Sequence, residues 1–176
     1  NSIVHENKLV GGYSGSGIYT QDILILNNST VSNNSGGAGE GIYSFTGDIQ
    51  LNNSTISGNQ SYGFMQDSGK VTLKNTIISG NGGASDCFNS LSVTNSQGYN
   101  LVSKPQNCGF TPTTGDIVNT NANLGSLISF PGHVFLLPNS PAIDAGNPST
   151  PGSGGNACLA TDQQGTARPQ GTKCDI

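Results

Sequence analysis

Tryptophan is missing from the chain, and methionine occurs once. Strong helix formers are scarce: five Lys, one Arg and two Glu among 176 residues. An all-α fold therefore has little support. Only 9% of residues are charged and the net charge is −4. No basic surplus exists to neutralise phosphates, which argues against nucleic-acid binding. No apolar run approaches the ~20 residues of a membrane span, and no charged-then-apolar signal segment opens the chain. A mature product or a piece of a longer chain is expected. The length suits one domain, or one domain with an appendage.

What fills the chain instead is small and polar: 26 Gly, 22 Ser, 21 Asn and 15 Thr, nearly half of all residues. Leu, Ile, Val and Phe total 39, close to the composition at which chains become disordered. Low net charge and regular apolar spacing argue for a folded repeat.

Three segments align: Ile23 to Asn34, Ile49 to Asn59, and Val71 to Asn81. Asn28 to Asn53 is 25 residues and Asn53 to Asn75 is 22. Shorter matches lie upstream: Gly17-Ile18-Tyr19, Gly41-Ile42-Tyr43 and Gly63-Phe64-Met65. Leu91 to Asn95 resembles a fourth copy. Within a copy the apolar period is two. It predicts that Ile23, Ile49 and Val71 face inward in one column, and Ile25, Leu51 and Leu73 in another. Short strands with one buried face, repeated every 22–25 residues, predict one coil each of a right-handed parallel β-helix. Asn28, Asn53 and Asn75 recur at one strand break, and Asn34, Asn59 and Asn81 at another. Asn tolerates left-handed backbone, and its amide can bond an Asn one coil away, about 4.8 Å distant. Both rows are expected to form structural ladders.

The chain opens inside a repeat, since Asn1-Ser2-Ile3-Val4 reads like Asn53-Ser54-Thr55-Ile56. An edge there is expected to be covered by preceding residues or by something else. Repeats occupy 1–101. All eight Pro lie beyond Leu101, so 102–176 is expected to form irregular coils and a cap packed on the same solenoid. Phe130, Val134, Phe135, Leu136 and Leu137 are expected to plug its open end. Cys87, Cys108, Cys158 and Cys174 form no C-x-x-C pair, so disulfides are preferred to zinc and imply an oxidising compartment. Of three pairings, the local closures Cys87–Cys108 and Cys158–Cys174 are favoured.

From Asn75 onward the chain resembles the bacterial right-handed parallel β-helix proteins of the choice-of-anchor Q type. Their repeats are similar to those of polymorphic outer-membrane proteins. The resemblance rests on Asn75-Thr76-Ile77-Ile78-Ser79-Gly80-Asn81, Asp86-Cys87, Gly98-Tyr99-Asn100-Leu101, Gly115-Asp116-Ile117-Val118-Asn119, Leu124-Gly125-Ser126-Leu127, Leu136 through Gly146, Asp162-Gln163-Gln164-Gly165, Arg168-Pro169 and Cys174-Asp175-Ile176. It implies an extracellular or surface-displayed module without an established activity. The family usually continues past Cys-Asp-Ile into a Gly-Ala-aromatic-Glu stretch and an anchoring region. Asp144, Asp162, Arg168 and Asp175 fall in its C-terminal motifs. There they suggest either a calcium or ligand site, or a cap network with Arg168 forked onto one carboxylate.

Three functional patterns follow. Asp22, Asp48 and Lys70 each precede a repeat strand and are expected to stack in one column. That would give paired acids beside a base for polysaccharide cleavage, or oxygen ligands for calcium, the one cofactor considered. The bland reading is a turn carboxylate copied by duplication. Tyr19 and Tyr43, continued by Met65, form an outward strip that could take sugar rings or a protein partner. Coil ends could join subunit to subunit in a fibre. The sequence thus favours a noncatalytic, adhesin-like extracellular module, with a polysaccharide-binding or polysaccharide-cleaving module as the alternative.

Overall fold

The structure is a computed structural model that describes residues 1–89, 91, 93–128 and 132–176. It is an all-β solenoid of about four turns, built from stacked parallel strands, with no helix among the described residues. Three sheets form the sides of the coil. The longest has six strands: Ser2–His5, Ser29–Ser32, Thr55–Ser57, Ile77–Ser79, Leu101–Val102 and Ile117–Val118. A second holds Ile18–Thr20, Ile42–Ser44, Phe64–Gln66 and Cys87–Asn89, and a third Leu24–Asn27, Ile49–Asn52, Val71–Lys74 and Thr94–Ser96.

The corners are set by residues that accept left-handed backbone. Asn28, Asn53 and Asn75 have φ of 47°, 48° and 45°, and Tyr99 takes the same place in the next coil at 57°. Asn33, Gly58 and Gly80 turn the next corner at 55°, 65° and 75°. This conformation costs most residues a Cβ–carbonyl clash and costs Asn and Gly least. Period-two strands between such corners send alternate side chains inward. Val31, Ile56, Ile78 and Val102 stack in one inner row, Ile42, Phe64 and Cys87 in another, and Leu26, Leu51 and Leu73 in a third, all within one buried core.

The first copy departs from the predicted register. Leu24 pairs with Ile49 and Leu26 with Leu51, so Leu24 and Leu26 face the core. Ile23 and Ile25 face out, 65% and 52% exposed. The offset of 25 between Asn28 and Asn53 fixes this pairing, and at period two a slip of one residue exchanges the faces.

Two hydrogen-bonded ladders run through the corners. In one, the backbone N–H and Nδ2 of Asn7 both donate to Asn34 Oδ1, those of Asn34 to Asn59 Oδ1, those of Asn59 to Asn81 Oδ1, and those of Asn81 to Asp86 Oδ1. In the other, the backbone N–H of Ser29 donates to Ser54 Oγ, Ser54 to Thr76 Oγ1, Thr76 to Asn100 Oδ1 and Asn100 to Asp116 Oδ1. Both point the same way along the column, and both end on a carboxylate. Asp86 also accepts from Ser103 Oγ and the Lys104 N–H, and Asp116 from Ser96 Oγ and the Thr113 N–H.

Val134, Phe135, Leu136 and Leu137 do not plug the end of the column. Residues 103–110 close that end, held by the Cys87–Cys108 disulfide and by Lys104 Nζ on the carbonyls of Asn81 and Gly83. The antiparallel pair Leu124–Ile128 and His133–Leu136 folds back along the outside of the six-stranded sheet. There Leu124, Leu136, Ala142 and Ile176 cover Ile77, Leu101 and Ile117, forming a second apolar layer. Val134 and Phe135 belong to this lateral pair, with Leu137 just beyond it. Phe130 lies outside the described residues. The physical reason is that the sheet's outer face offers Ile77, Leu101 and Ile117 as apolar surface needing cover.

Asn59→Ala should leave the buried Asn34 N–H and one of the two Asn34 Nδ2 hydrogens without an acceptor, at roughly 1–3 kcal/mol for each group left unpaired. The half-buried Asn52, whose bond to Asn27 is exposed, should cost under about 0.5 kcal/mol as Asn52→Ala. Urea unfolding of the two variants measures the difference.

Candidate functional site

The second sheet carries a continuous outward row. Tyr19 pairs with Tyr43, Tyr43 with Met65, and Met65 with Phe88. Parallel in-register stacking places these side chains directly above one another. The Tyr19 and Tyr43 rings stand 5.7 Å apart at a 44° tilt, and Tyr62 joins Phe88 at 5.7 Å. Tyr19 is 53% exposed, while Tyr43, Met65 and Phe88 are half-buried. Hydrogen bonds hold the phenols: Gln21 Nε2 donates to Tyr19 Oη at 2.8 Å, and Tyr43 Oη donates to Asp67 Oδ2 at 2.6 Å. The bond to Asp67, then burial, then the negative charge of Asp67 push the Tyr43 pKa up to about 12.

The predicted Asp22–Asp48–Lys70 column does not form. Asp48 and Lys70 are neighbours, the Lys70 backbone N–H donating to Asp48 Oδ1 at 2.8 Å. Asp22, displaced by the register offset of the first copy, lies beside Gly47 instead. Among the described residues no group of three or more His, Cys, Asp or Glu gathers around a metal position.

The two Asn rows serve different ends. Asn34, Asn59 and Asn81 bond coil to coil inside the column. Asn28, Asn53 and Asn75 instead bond the returning C-terminal segment. Asn75 Nδ2 donates to the Asn156 carbonyl and its Oδ1 accepts the Asn147 N–H. Asn53 Oδ1 accepts the Leu159 N–H, and Asn28 Nδ2 donates to the Thr161 carbonyl. Residues 147–163 thus form a strap running from the late coils back to the first, where Gln163 Nε2 reaches the Ser2 carbonyl. The Cys158–Cys174 disulfide ties the strap to the chain's last residues. Arg168 is not forked onto a carboxylate: its Nη1 donates to Asn28 Oδ1 and the Thr161 carbonyl, both at 3.0 Å.

Sequence reasoning missed the Asp86 and Asp116 ladder ends, although both sit in motifs singled out for the resemblance. Asp86 follows Asn81 by only 5 residues and Asp116 follows Asn100 by only 16, both off the repeat, so no periodic signal marks them. It also missed the Ser29–Ser54–Thr76 row, marked by a hydroxyl residue after each corner Asn.

Two disulfides are present, a pattern that fits an oxidising setting. Among the described residues no helix is long and apolar enough to cross a membrane. Comparison with known protein families, curated proteins and solved structures finds no match.

The Tyr43 phenol should titrate above the ordinary phenol range. Because its folded value lies above the ordinary 10.0, its stabilising bond to Asp67 is complete below about pH 10 and is lost as the pH rises through about 12. Ultraviolet titration of phenolate should show a component near pH 12 that is absent in Tyr43→Phe and shifted down in Asp67→Asn.

Proposed function

We propose that this chain is a noncatalytic extracellular surface module, adhesin-like and of the choice-of-anchor Q type, that presents a rigid row of side chains to a glycan. The observation that carries this reading is the division of the surface. The six-stranded sheet and the Asn28–Asn53–Asn75 corner are taken up by the lateral strand pair and the strap. The second sheet carries Tyr19, Tyr43, Met65 and Phe88 outward in register. Rings fixed by stacking and by Gln21 and Asp67 lose little freedom on binding, which favours a partner that stacks on them. A glycan supplies apolar ring faces for the tyrosines and hydroxyls for the polar groups beside them.

End-to-end assembly into a fibre is a further part of the proposal. Such a fibre would join coil to coil through Val4, Ile18 and Leu24, which are partly buried. Light scattering that finds only monomers at high concentration removes this part and leaves the glycan reading intact.

Binding to immobilised polysaccharides should fall about tenfold in Tyr19→Ala/Tyr43→Ala, from two aromatic contacts worth roughly 0.5–1.5 kcal/mol each. No new reducing ends should appear in the wild-type reaction. Polymer cleavage, or binding indifferent to both tyrosines, would refute the proposal.

A further inference from the structure

The strap and the lateral strand pair do not close completely over the six-stranded sheet. Between His133–Leu136 and the residues around Arg168 lies an open-sided cavity of about 210 Å³. Thr30 and Thr55 line it, together with Phe135, Asp162, Arg168 and Asp175. These residues come from the outer face of two coils, the lateral pair, the strap and the chain's last residues. They meet only because the C-terminal part folds back along the column.

Arg168 is the unusual member. It is half-buried, and burial pulls its pKa below the ordinary guanidinium range, an effect the charges of Asp162 and Asp175 oppose. Yet among the described residues neither carboxylate is within ion-pair distance of it. Nη1 is occupied by Asn28 and Thr161, and the rest of the guanidinium has no protein partner there. Each carboxylate is also half used. Asp162 Oδ1 accepts the N–H groups of Gln164 and Thr166, and Asp175 Oδ1 accepts that of Asp144. The Oδ2 atoms of both remain unbonded among the described residues, as does Thr55 Oγ1. Thr30 Oγ1 is engaged with Gln163 Oε1 at 2.7 Å.

The cavity thus sets a group that only donates against groups that only accept, too far apart to satisfy one another. We propose that it binds one neutral sugar residue, whose adjacent hydroxyls bridge Arg168 to the Asp162 or Asp175 carboxylate while the ring lies beside Phe135. A hydroxyl both donates and accepts, so a vicinal pair serves both kinds of group at once. A carboxylate ligand would gain Arg168 but face two like charges, and a cation would face the guanidinium. An apolar ligand would take the free Arg168 N–H groups out of water without replacing their partners, which is costly. The volume lies below the roughly 300–1,000 Å³ of pockets for drug-sized ligands, so it selects a single ring. The site is separate from the Tyr19–Tyr43 row, and either can fail without the other.

Arg168 is the only arginine, so its side-chain Nε–H resonance is unambiguous. The whole protein is titrated by NMR with glucose, galactose, mannose and N-acetylglucosamine, and with glucuronate and acetate for comparison. At least one neutral sugar should shift the Arg168 Nε–H saturably. Thr55→Leu, which fills the cavity without touching the Arg168 bonds, should weaken this at least tenfold. Phe135→Ala, at a position 39% exposed, is the second variant and should also weaken it. Tyr19→Ala/Tyr43→Ala should leave it unchanged. An Arg168 resonance that none of the four sugars moves overturns the proposal. So does one moved equally by acetate or glucuronate, or one whose response survives both cavity variants.

Discussion

Each coil of this protein hands its corner hydrogen bonds forward to the next. A corner Asn takes two donors from the coil before it and gives two to the coil after it. With backbone folded inward at every corner, these amides satisfy polar groups that water cannot reach. The ladder therefore has a direction, and a directional ladder needs an end that accepts without donating. A carboxylate is such a group. Asp86 and Asp116 stand where the two ladders stop: the second oxygen of Asp86 holds Ser103 and Lys104 in the irregular coil that follows, and that of Asp116 holds Ser96 and the turn at Thr113. The chemistry of the last rung thus positions the closing loop.

Stacking by repetition leaves a regular solenoid with regular outer faces. One of these is apolar through Ile77, Leu101 and Ile117, and the C-terminal part folds against it. That choice decides the rest of the surface. It conceals the six-stranded sheet, gives the corner Asn row a partner, and creates the Arg168 cavity at the seam between strap and strand pair. The second sheet keeps its aromatic row. Both candidate recognition surfaces descend from where the apolar cover happened to be needed.

The architecture was legible because Asn and Gly mark corners that few residues tolerate, and because two-residue alternation separates faces. Legibility failed where either signal was weak. Ile23, Leu24, Ile25 and Leu26 are all apolar, so alternation carries no information there and only the Asn28–Asn53 spacing reports the true register. Asp22 and Asp48 looked stacked for the same reason. The two Asn rows read alike, yet one residue type serves the inside of the column and the other its outside. The difference lies in backbone: Asn28, Asn53 and Asn75 occupy the left-handed corner themselves, whereas Asn34, Asn59 and Asn81 follow it. The strap has no period at all. Its place depends on backbone groups meeting Asn side chains more than seventy residues away, as Asn147 meets Asn75, and such pairings leave no local trace.

The route of the strap has a consequence for synthesis. Chains emerge in order, and a parallel solenoid can add coils in that order by stacking each on the last. Here the coil that holds Ser2 and Asn28 is finished by residues made much later, since Asn28 waits for Arg168 and Ser2 for Gln163. Until those arrive, its strands lack this outer partner. The column can thus be assembled as a growing stack but is secured by residues more than a hundred positions downstream.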